Sequence, residues 1–491
     1  MLTMAGACLA LPVFLFSNGF HHGFAAILLA AFGLVMGGTI IWSLIPRRDK
    51  FEEPGPTIDL SKQPKLRSEI ADLAALMGEE LPATVYLTPD ANAFVAERGG
   101  FLSIGNRRVM GLGLPLLQTL NVSQFRAVLA HEFAHFYGGD TRLAPWVYNA
   151  RNGMLRVFQN LDRSSPVMNI LRRFAIVAVA YLVVVKILVW LWRIFLRLTQ
   201  FVSRKQEFRS DELACHVAGS EALIGGLKVV NQSEPAVVPF WRSVVWPIVQ
   251  NGRQPKIADG FAQFLVTPHV AEAAAAHLEK EIKKMEADPF DTHPSLAARI
   301  ERAKALGIAC DGEVDERPAT CLMDDLEALE LALLHDLAPD LAAKELKPMD
   351  WAALGTEFYL PVWREEVLPF SAYLSQYKLT DIPALLRQLK PIAAQLKDPP
   401  GLLLTAEQRE GRAAGVVESA LTLTLIDHGW SLDAKPGFPS LTQGEMRVEP
   451  ENAILRLRKK EWTAEEWVKY CGQLGVGSLP LVKVDESGSA T

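Results

Sequence analysis

The chain lacks several features that would each indicate a particular class of protein. Its 50 Lys and Arg residues are outnumbered by 56 Asp and Glu residues, for a formal net charge of -6, and this balance predicts no nucleic-acid partner. Five cysteines, an odd number with no CxxC spacing, predict neither a disulfide framework nor a thiolate zinc site and are typical of a reducing compartment. Charge is also missing locally, because residues 1–46 contain no Lys, Arg, Asp or Glu.

The uncharged N-terminal segment is suited to a lipid bilayer. Hydrophobic residues make up 49% of the chain, and residues 23–45 form an almost wholly apolar run, long enough to cross a hydrocarbon core of about 30 Å. Three cations follow at once within residues 47–50 and place the next segment in the cytoplasm. Residues 4–16 are apolar but short, which leaves open a first membrane span or a poorly cleaved signal. We therefore predict an N-terminal membrane hairpin over residues 1–50.

A second long apolar run covers residues 174–192 and is interrupted only by Lys186. Its length and composition predict a membrane-grade helix. Trp190 and Trp192 near its end, with several arginines beyond them, indicate a membrane interface and a second exit into the cytoplasm.

The motif with the clearest chemistry is His-Glu-Phe-Ala-His, which begins at His131. Side chains four apart project from the same face of a helix, so His131 and His135 can bind one metal ion while Glu132 lies beside them. Ser123 is the predicted N-cap of this helix, and the glycines at 138–139 are its predicted end. The motif therefore has the geometry of a zinc hydrolase.

A catalytic zinc ion needs three protein ligands and an open position for water, so a third donor must come from elsewhere in the chain. The dense acidic cluster next to a membrane exit comprises Glu207, Asp211 and Glu212. Glu207 and Asp211 lie four apart on one helical face, so Glu207 can bind the metal while Asp211 orients a ligand histidine through its other ring nitrogen. Glu212 points elsewhere. We therefore predict Glu207 as the third ligand.

Together these motifs resemble the HtpX-like membrane metalloproteases, a gluzincin family related to the zinc-dependent CAAX prenyl-protein protease. The resemblance covers residues 23 to about 306. It rests on the order of several separated motifs, namely HEFAH, then Glu207-Phe-Arg-Ser-Asp211 after an apolar segment, with further matches at Asn92-Ala-Phe94, Asp140, Asp291-Thr-His-Pro-Ser295 and Arg299-Ile300.

The resemblance implies a set of roles for these residues. A zinc ion would be bound by three ligands, with a glutamate as general base, and these four positions are His131, His135, Glu207 and Glu132. Asp211 and Asp140 would support the ligands. His293 would help to stabilise the oxyanion, while Asn92 and Arg299 would lie at the substrate.

The ligands also constrain the membrane topology. Because the two histidines and Glu207 must meet on one side of the membrane, the chain between them must cross it an even number of times or not at all. Either residues 142–162 cross first, or residues 174–200 form a long helix that dips into the membrane without crossing it. The resemblance favours a membrane hairpin inserted at about residues 142–200.

The expected fold is mainly α with a small β-sheet. A gluzincin-type metalloprotease domain with transmembrane helices would cover residues 57–310, and a mostly helical extension would cover residues 311–491. Residues 83–89 and one or two segments within residues 99–111 predict strands before the motif helix. Peptides commonly bind as an added strand at a sheet edge, so we expect the substrate cleft there.

The resulting hypothesis is a membrane-anchored, zinc-dependent endopeptidase whose catalytic domain faces the cytoplasm, in the inner or cell membrane if the protein is bacterial. Its partners would be a protein or peptide substrate and the lipid bilayer, in the quality control of membrane or misfolded proteins. Nothing in the sequence indicates the oligomeric state. Two alternatives stay open: a non-catalytic membrane scaffold with a structural zinc ion, and a protease dedicated to one lipid-anchored substrate.

Overall fold

The computed structural model describes residues 1–19, 23–45, 51–98, 107–136, 144–162, 173–284, 293–310, 312–342, 345–398 and 404–483. The chain forms two compact units. The first comprises residues 1–234 and 275–336, and the second comprises residues 235–274 and 337–491. The fold is mainly α-helical with small sheets, as the sequence predicts.

The elements are numbered in chain order. As far as the apolar helix that leads to the second motif, they are α1 (Leu2–Ser17), α2 (Phe24–Leu44), β1 (Thr57–Ile58), α3 (Pro64–Met77), β2 (Thr84–Thr88), β3 (Ala93–Arg98), β4 (Arg107–Gly113), α4 (Leu114–Thr119), α5 (Val122–Ala134), α6 (Ala144–Asp162) and α7 (Ala175–Ala218).

The remaining elements include several short helical turns. They are α8 (Ser220–Phe240), a π-helical turn (Trp241–Val245), α9 (Trp246–Gln250), β5 (Arg253–Pro255), α10 (Ile257–Leu265), α11 (Pro268–Lys283), α12 (Leu296–Leu306), a 3-10 turn (Ala319–Leu322), α13 (Leu326–Leu337), α14 (Pro339–Ala342), β6 (Lys347–Met349), a 3-10 turn (Trp351–Ala353), a π-helical turn (Gly355–Tyr359), α15 (Leu360–Val367), a 3-10 turn (Leu368–Phe370), α16 (Ser371–Leu374), a 3-10 turn (Leu379–Asp381), α17 (Ile382–Leu385), α18 (Lys390–Gln395), α19 (Ala406–Asp427), β7 (Ser431–Asp433), β8 (Ser440–Gln443), β9 (Met446–Val448), α20 (Pro450–Arg458) and α21 (Ala464–Gln473).

The sheet of the first unit has the strand order β1-β2-β4-β3. Strand β2 runs parallel to β4, whereas β3 pairs with β4 antiparallel, with Val95 opposite Met110. Strand β3 is therefore at the edge. The sequence analysis did not predict this strand, although its side chains alternate between buried and more exposed positions from Ala93 onward. Of the segment within residues 99–111 where one or two strands were expected, residues 99–106 lie outside the described residues, and the rest belongs to β4.

Helix α5 carries the histidine motif, and a side-chain cap stabilises its N-terminus. The predicted N-cap, Ser123, is wrong: Asn121 caps the helix, its side chain accepting from the Gln124 N–H while the Gln124 side chain accepts from the Asn121 N–H. The hydroxyl of Ser123 instead accepts the backbone N–H of Asp315. Helix α5 ends at Ala134, before the glycines expected to end it at 138–139, which lie outside the described residues.

Helices α1 and α2 pack closely through two glycines four residues apart. A Cβ atom on Gly33 would lie 2.4 Å from the carbonyl oxygen of Cys8, and one on Gly37 would lie 2.7 Å from Leu9 Cγ. Small residues at this spacing let the backbones of two apolar helices approach closely, which favours their packing where the hydrophobic effect does not drive them together. By length and composition, helix α2 could cross a membrane, and α1 is a shorter apolar helix.

Helix α7 is one continuous helix of 44 residues that joins the second apolar run to the acidic motif. Its N-terminus lies beside that of α2, with the rings of Phe24 and Phe174 at 5.6 Å. Helix α6 contacts the C-terminal end of α2, where Arg156 Nε donates to the carbonyl oxygen of Ser43. Its Val157 and Leu161 pack in one cluster with Met36 of α2. Helix α7 also packs against α2.

The second unit is built on α19, whose buried face includes Val417, Leu421 and Leu425. Strands β5 and β6 pair parallel, and β7, β8 and β9 form an antiparallel sheet in that order. The sequence analysis did not anticipate these short strands.

Candidate metal centre

Helices α5 and α7 pack together and bring the two motifs to one place. His131 lies in the last turn of α5, and His135 is its C-cap residue. Glu207 comes from the C-terminal half of α7, beyond its apolar part. His131 and Glu207 are buried, with relative exposures of 6% and 4%, so both polar groups need partners inside the protein.

The three side chains converge on one point. The Nε2 atom of His131 lies 3.5 Å from Glu207 Oε2, and that of His135 lies 3.6 Å from Glu207 Oε1. One ligand atom from each residue lies within 4.8 Å of the others. Bonds of about 2.1 Å at tetrahedral angles separate the donor atoms of a zinc site by about 3.4 Å, so this spacing fits one shared ion.

Glu207 has an unsatisfied oxygen at this point. Its Oε2 atom is buried and accepts no well-aligned hydrogen bond, although His131 Nε2 and His293 Nδ1 approach it at 3.5 and 3.1 Å. Leaving a buried carboxylate oxygen unpaired costs free energy, which a bound cation would recover. The donor set of two imidazoles and one carboxylate suits zinc or a similar transition metal.

The far side of His131 is held by an ion pair. Asp211 Oδ1 lies 3.0 Å from His131 Nδ1, and Arg299 from α12 donates to both oxygens of Asp211, at 2.9 and 2.6 Å. Asp211 is 1% exposed. This arrangement keeps the proton of His131 on Nδ1 and leaves Nε2 facing Glu207, which is the orientation a metal ligand needs.

The electrostatics of the site favour the charged forms of His131 and Glu207. Burial alone would lower the pKa of His131, but the carboxylates of Asp211 and Glu207 outweigh it and raise the pKa to about 9. Burial would raise the pKa of Glu207, but the nearby His131 and His293 hold it well below its usual range. Glu207 is thus held in its charged form, the form that a metal ligand requires.

The second histidine has a different environment. Burial, together with the charge on His131, lowers the pKa of His135 to about 4. Its Nδ1 atom lies 3.3 Å from Ser210 Oγ. His135 therefore presents a neutral imidazole, the form that binds metals.

Glu132 lies next to the two histidines in sequence and faces the sheet. Burial raises the pKa of its carboxyl group, which also accepts the backbone N–H of Val95. Val95 belongs to the edge strand β3. Glu132 is thus in contact with the strand at the edge of the described sheet.

The other residues singled out from the sequence are placed as follows. His293 and Arg299 lie at the cluster, and Glu212 pairs with Arg302 on the surface at 3.5 Å. Asn92 is exposed just before β3, where its carbonyl oxygen accepts the Gly113 N–H. Asp140 lies outside the described residues.

Sequence reasoning missed two contributors, Ser210 and the N–H of Val95. Ser210 directly precedes Asp211, and helical geometry turns it toward a different neighbour. The backbone amide of Val95 has no signature in the sequence, since any residue at that position supplies the same donor.

Comparison with known proteins agrees with this geometry. Residues 60–306 match the model of Peptidase family M48. Proteins described as Protease HtpX are similar: that of Xylella fastidiosa (strain M12) is 27% identical over 214 residues, covering 42% of this chain and 71% of the relative.

Two further relatives carry the same description. Protease HtpX of Acinetobacter baylyi is 24% identical over 252 residues, or 46% of this chain and 77% of the relative, and that of Stutzerimonas stutzeri is 22% identical over 299 residues, or 59% and 90%. The family match spans just over half of the chain and contains every residue of the cluster. The chain therefore belongs to peptidase family M48 and is an HtpX-like metalloprotease.

Proposed function

We propose that the protein is a membrane-anchored zinc endopeptidase in which His131, His135 and Glu207 hold the ion. The observation that carries this proposal is the convergence of the three side chains from two helices, with donor atoms within 4.8 Å of one another. A zinc ion bound there would polarise the scissile carbonyl group and acidify an attacking water molecule to a pKa of about 7.

Glu132 is the general base in this proposal. Its carboxylate accepts a proton from the attacking water, and the resulting carboxyl group then transfers this proton to the leaving amine. Burial raises its pKa, and a base with a raised pKa is better matched to proton transfer near neutral pH.

Three further side chains complete the proposed site. His293, 3.1 Å from Glu207, donates a hydrogen bond to the oxyanion that develops on the carbonyl group. Asp211 orients His131, and Arg299 holds Asp211 in place. The substrate peptide pairs with the edge strand β3, near Asn92, as an added strand.

The proposed membrane placement follows from the apolar helices. Helix α2 and the first part of α7 have the length and composition of membrane spans, and α7 exposes Val179, Leu182 and Trp190 by more than half of their surface. Helix α7 begins beside the start of α2, whereas Arg156 of α6 contacts the C-terminal end of α2. This supports an even number of crossings between His135 and Glu207, with the site on the cytoplasmic side.

Membrane anchoring suggests the class of substrate. A site held at the bilayer surface encounters membrane proteins and misfolded proteins beside it, so we assign the enzyme to membrane-protein quality control. In this proposal residues 1–50 are the membrane hairpin, residues 57–310 form the protease domain with an insertion at about 142–200, and residues 311–491 form an extension.

The test separates the base from the ligands. In full-length protein, Glu132→Gln should keep stoichiometric zinc and lose activity on a casein-type substrate by on the order of 10²–10⁴-fold, whereas His135→Ala should lose zinc. Equal degradation by the Glu132→Gln variant would exclude Glu132 as the base. Stoichiometric zinc in His135→Ala would exclude this ligand set.

A further inference from the structure

Two neighbouring residues of α7 face the two histidines of α5. Asp211 lies 3.0 Å from Nδ1 of His131, and Ser210 Oγ lies 3.3 Å from Nδ1 of His135. Ser210 is 2% exposed, so its hydroxyl group is shielded from bulk water. The rings of the two histidines are nearly perpendicular, with an interplanar angle of 86°. Because consecutive helical residues point about 100° apart, adjacent positions can serve both rings.

The direction of the Ser210 hydrogen bond is set by the other ring nitrogen. His135 Nε2 faces Glu207 Oε1 at 3.6 Å, and a neutral imidazole binds a metal through the nitrogen that carries no proton. The proton of His135 must then be on Nδ1, which requires an acceptor. Among the described residues, Ser210 is the hydrogen-bond partner of that nitrogen.

We propose that Ser210 is a positioning residue, which accepts the Nδ1 proton of His135 and thereby directs its Nε2 lone pair to the metal. This inference rests on the proposed zinc site and adds the group that selects the tautomer of the second ligand. A serine that donated to Nδ1 instead would place the proton on Nε2 and block ligation.

The two histidines are therefore held unequally. The carboxylate of Asp211 makes a short, charge-assisted contact with His131 and is itself fixed by Arg299, whereas a neutral hydroxyl group supports His135. Charge-assisted hydrogen bonds are about twice as strong as neutral ones. Loss of Ser210 should consequently weaken zinc binding less than loss of Asp211.

The experiment uses the full chain in detergent, stripped of metal and titrated with zinc against a competing chelator. Removing a hydrogen-bond partner of a ligand histidine typically costs about 10–100-fold in metal affinity. Ser210→Ala should raise the zinc Kd by about 10-fold, at the lower end of that range, and Asp211→Asn by more. Ser210→Thr, which keeps the hydroxyl group, should retain the wild-type Kd.

A second readout reports on the geometry of the site. The cobalt-substituted protein should show a changed d–d absorption spectrum in Ser210→Ala, and at saturating zinc the variant should lose kcat with little change in KM. The matched control is Ser220→Ala: Ser220 is 3% exposed in the same unit and accepts the Ile308 N–H, away from the histidines. It should leave both the Kd and the spectrum at wild-type values.

The outcomes distinguish the two proposals. A wild-type protein that binds no zinc would overturn the proposed metal site and this inference with it. A zinc-binding wild type with an unchanged Kd and cobalt spectrum in Ser210→Ala would overturn the inference alone. So would a Ser220→Ala variant that weakens zinc binding as much as Ser210→Ala, since the effect would then be one of general packing.

Discussion

At the scale of single residues, the site depends on charges that are buried together. Asp211 is 1% exposed and faces both His131 and Arg299. Removing one partner of such a pair leaves an uncompensated buried charge, which costs far more free energy than the pair contributes when intact. The arginine is thus as necessary to the histidine's orientation as the aspartate that touches it.

Arg299→Ala should lower the free energy of unfolding by about 3–5 kcal/mol, because Asp211 would stay buried without its guanidinium partner. Thermal or denaturant unfolding of the detergent-solubilised protein measures this. Arg302→Ala is the matched control one turn along α12: its pair with Glu212 is about half exposed, and such pairs contribute roughly 1 kcal/mol or less. Equal losses in the two variants would contradict the role given to Arg299.

The sequence pointed to the candidate ligands and to Asp211 beside them, but not to the contacts made by Ser210 and Val95. His131 and His135 are four apart on a helix, so their common face follows from periodicity alone. Ser210 and the amide of Val95 reach the site only through the packing of α7 and β3 against α5. Contacts of this kind depend on where distant segments meet, which no local pattern encodes.

At the scale of elements, α5 is stabilised at its start and carries its function at its end. The reciprocal hydrogen bonds of Asn121 and Gln124 satisfy two backbone donors at the N-terminus. Asn121→Ala should therefore cost about 1 kcal/mol of stability, measured by denaturant unfolding. The zinc Kd of the folded variant should stay at the wild-type value.

The control for this prediction is Asn121→Ser, since serine is also a favourable N-cap residue. It should unfold within a few tenths of a kcal/mol of the wild type. If Asn121→Ser loses as much stability as Asn121→Ala, the effect of position 121 does not come from capping.

Element boundaries were the least predictable part of the fold. The apolar run after residue 174 and the acidic motif at Glu207 have different compositions, and their sequence gives no sign that both lie on one helix. Helix α7 is continuous because its residues between the two segments, from Arg193 to Gln206, are mostly good helix formers without Pro or Gly. The change in composition therefore suggested two separate elements, whereas the helix propensity of the residues between them makes one continuous helix.

At the scale of the whole molecule, the second unit contains a half-buried acid with a raised pKa. Burial, with the nearby carboxylates of Glu451 and Glu366, raises the pKa of Glu418 on α19 to about 8. The folded state therefore prefers the protonated form. This contribution to stability is complete below the unfolded pKa of about 4.3 and is lost as the pH rises through about 8.

Glu418→Gln should remove this pH dependence. The wild type should lose a few kcal/mol of its free energy of unfolding between pH 5 and pH 9, at about 1.4 kcal/mol per unit by which the pKa is raised. The free energy of unfolding of the variant should depend less on pH and should exceed that of the wild type at pH 9. Denaturant titrations across this range measure both. Glu410→Gln, on the exposed part of the same helix, should keep the wild-type profile; a steep profile in Glu418→Gln would assign the pH dependence to other groups.

Unit boundaries could not be predicted from the sequence. Residues 235–274 interrupt the first unit and join the second. Strand β5 in this stretch pairs with β6, almost 100 residues further on. Nothing in the short sequence Arg253–Pro255 specifies that partner, because strand pairing is determined by the surrounding packing.

Helix α7 also has a mechanical consequence under the proposed membrane placement. From Ala175 to Glu207 it rises by about 48 Å as one rod, with its apolar part at one end and a metal donor at the other. A helix whose apolar length differs from the bilayer thickness tilts to compensate. Since His131 and His135 lie on a different helix, tilting α7 changes the distance between Glu207 and the histidines.

The proteolytic centre would therefore respond to the thickness of its own membrane. In vesicles of phosphatidylcholine with progressively longer acyl chains, cleavage of a soluble peptide should pass through an optimum at one chain length. Leu198→Gly with Val202→Gly, two exposed positions between the apolar part and Glu207, should soften the rod and flatten that optimum. A wild-type cleavage rate that is independent of acyl-chain length would contradict this coupling between the tilt of α7 and the metal site. An optimum would mean that bilayer thickness regulates the enzyme.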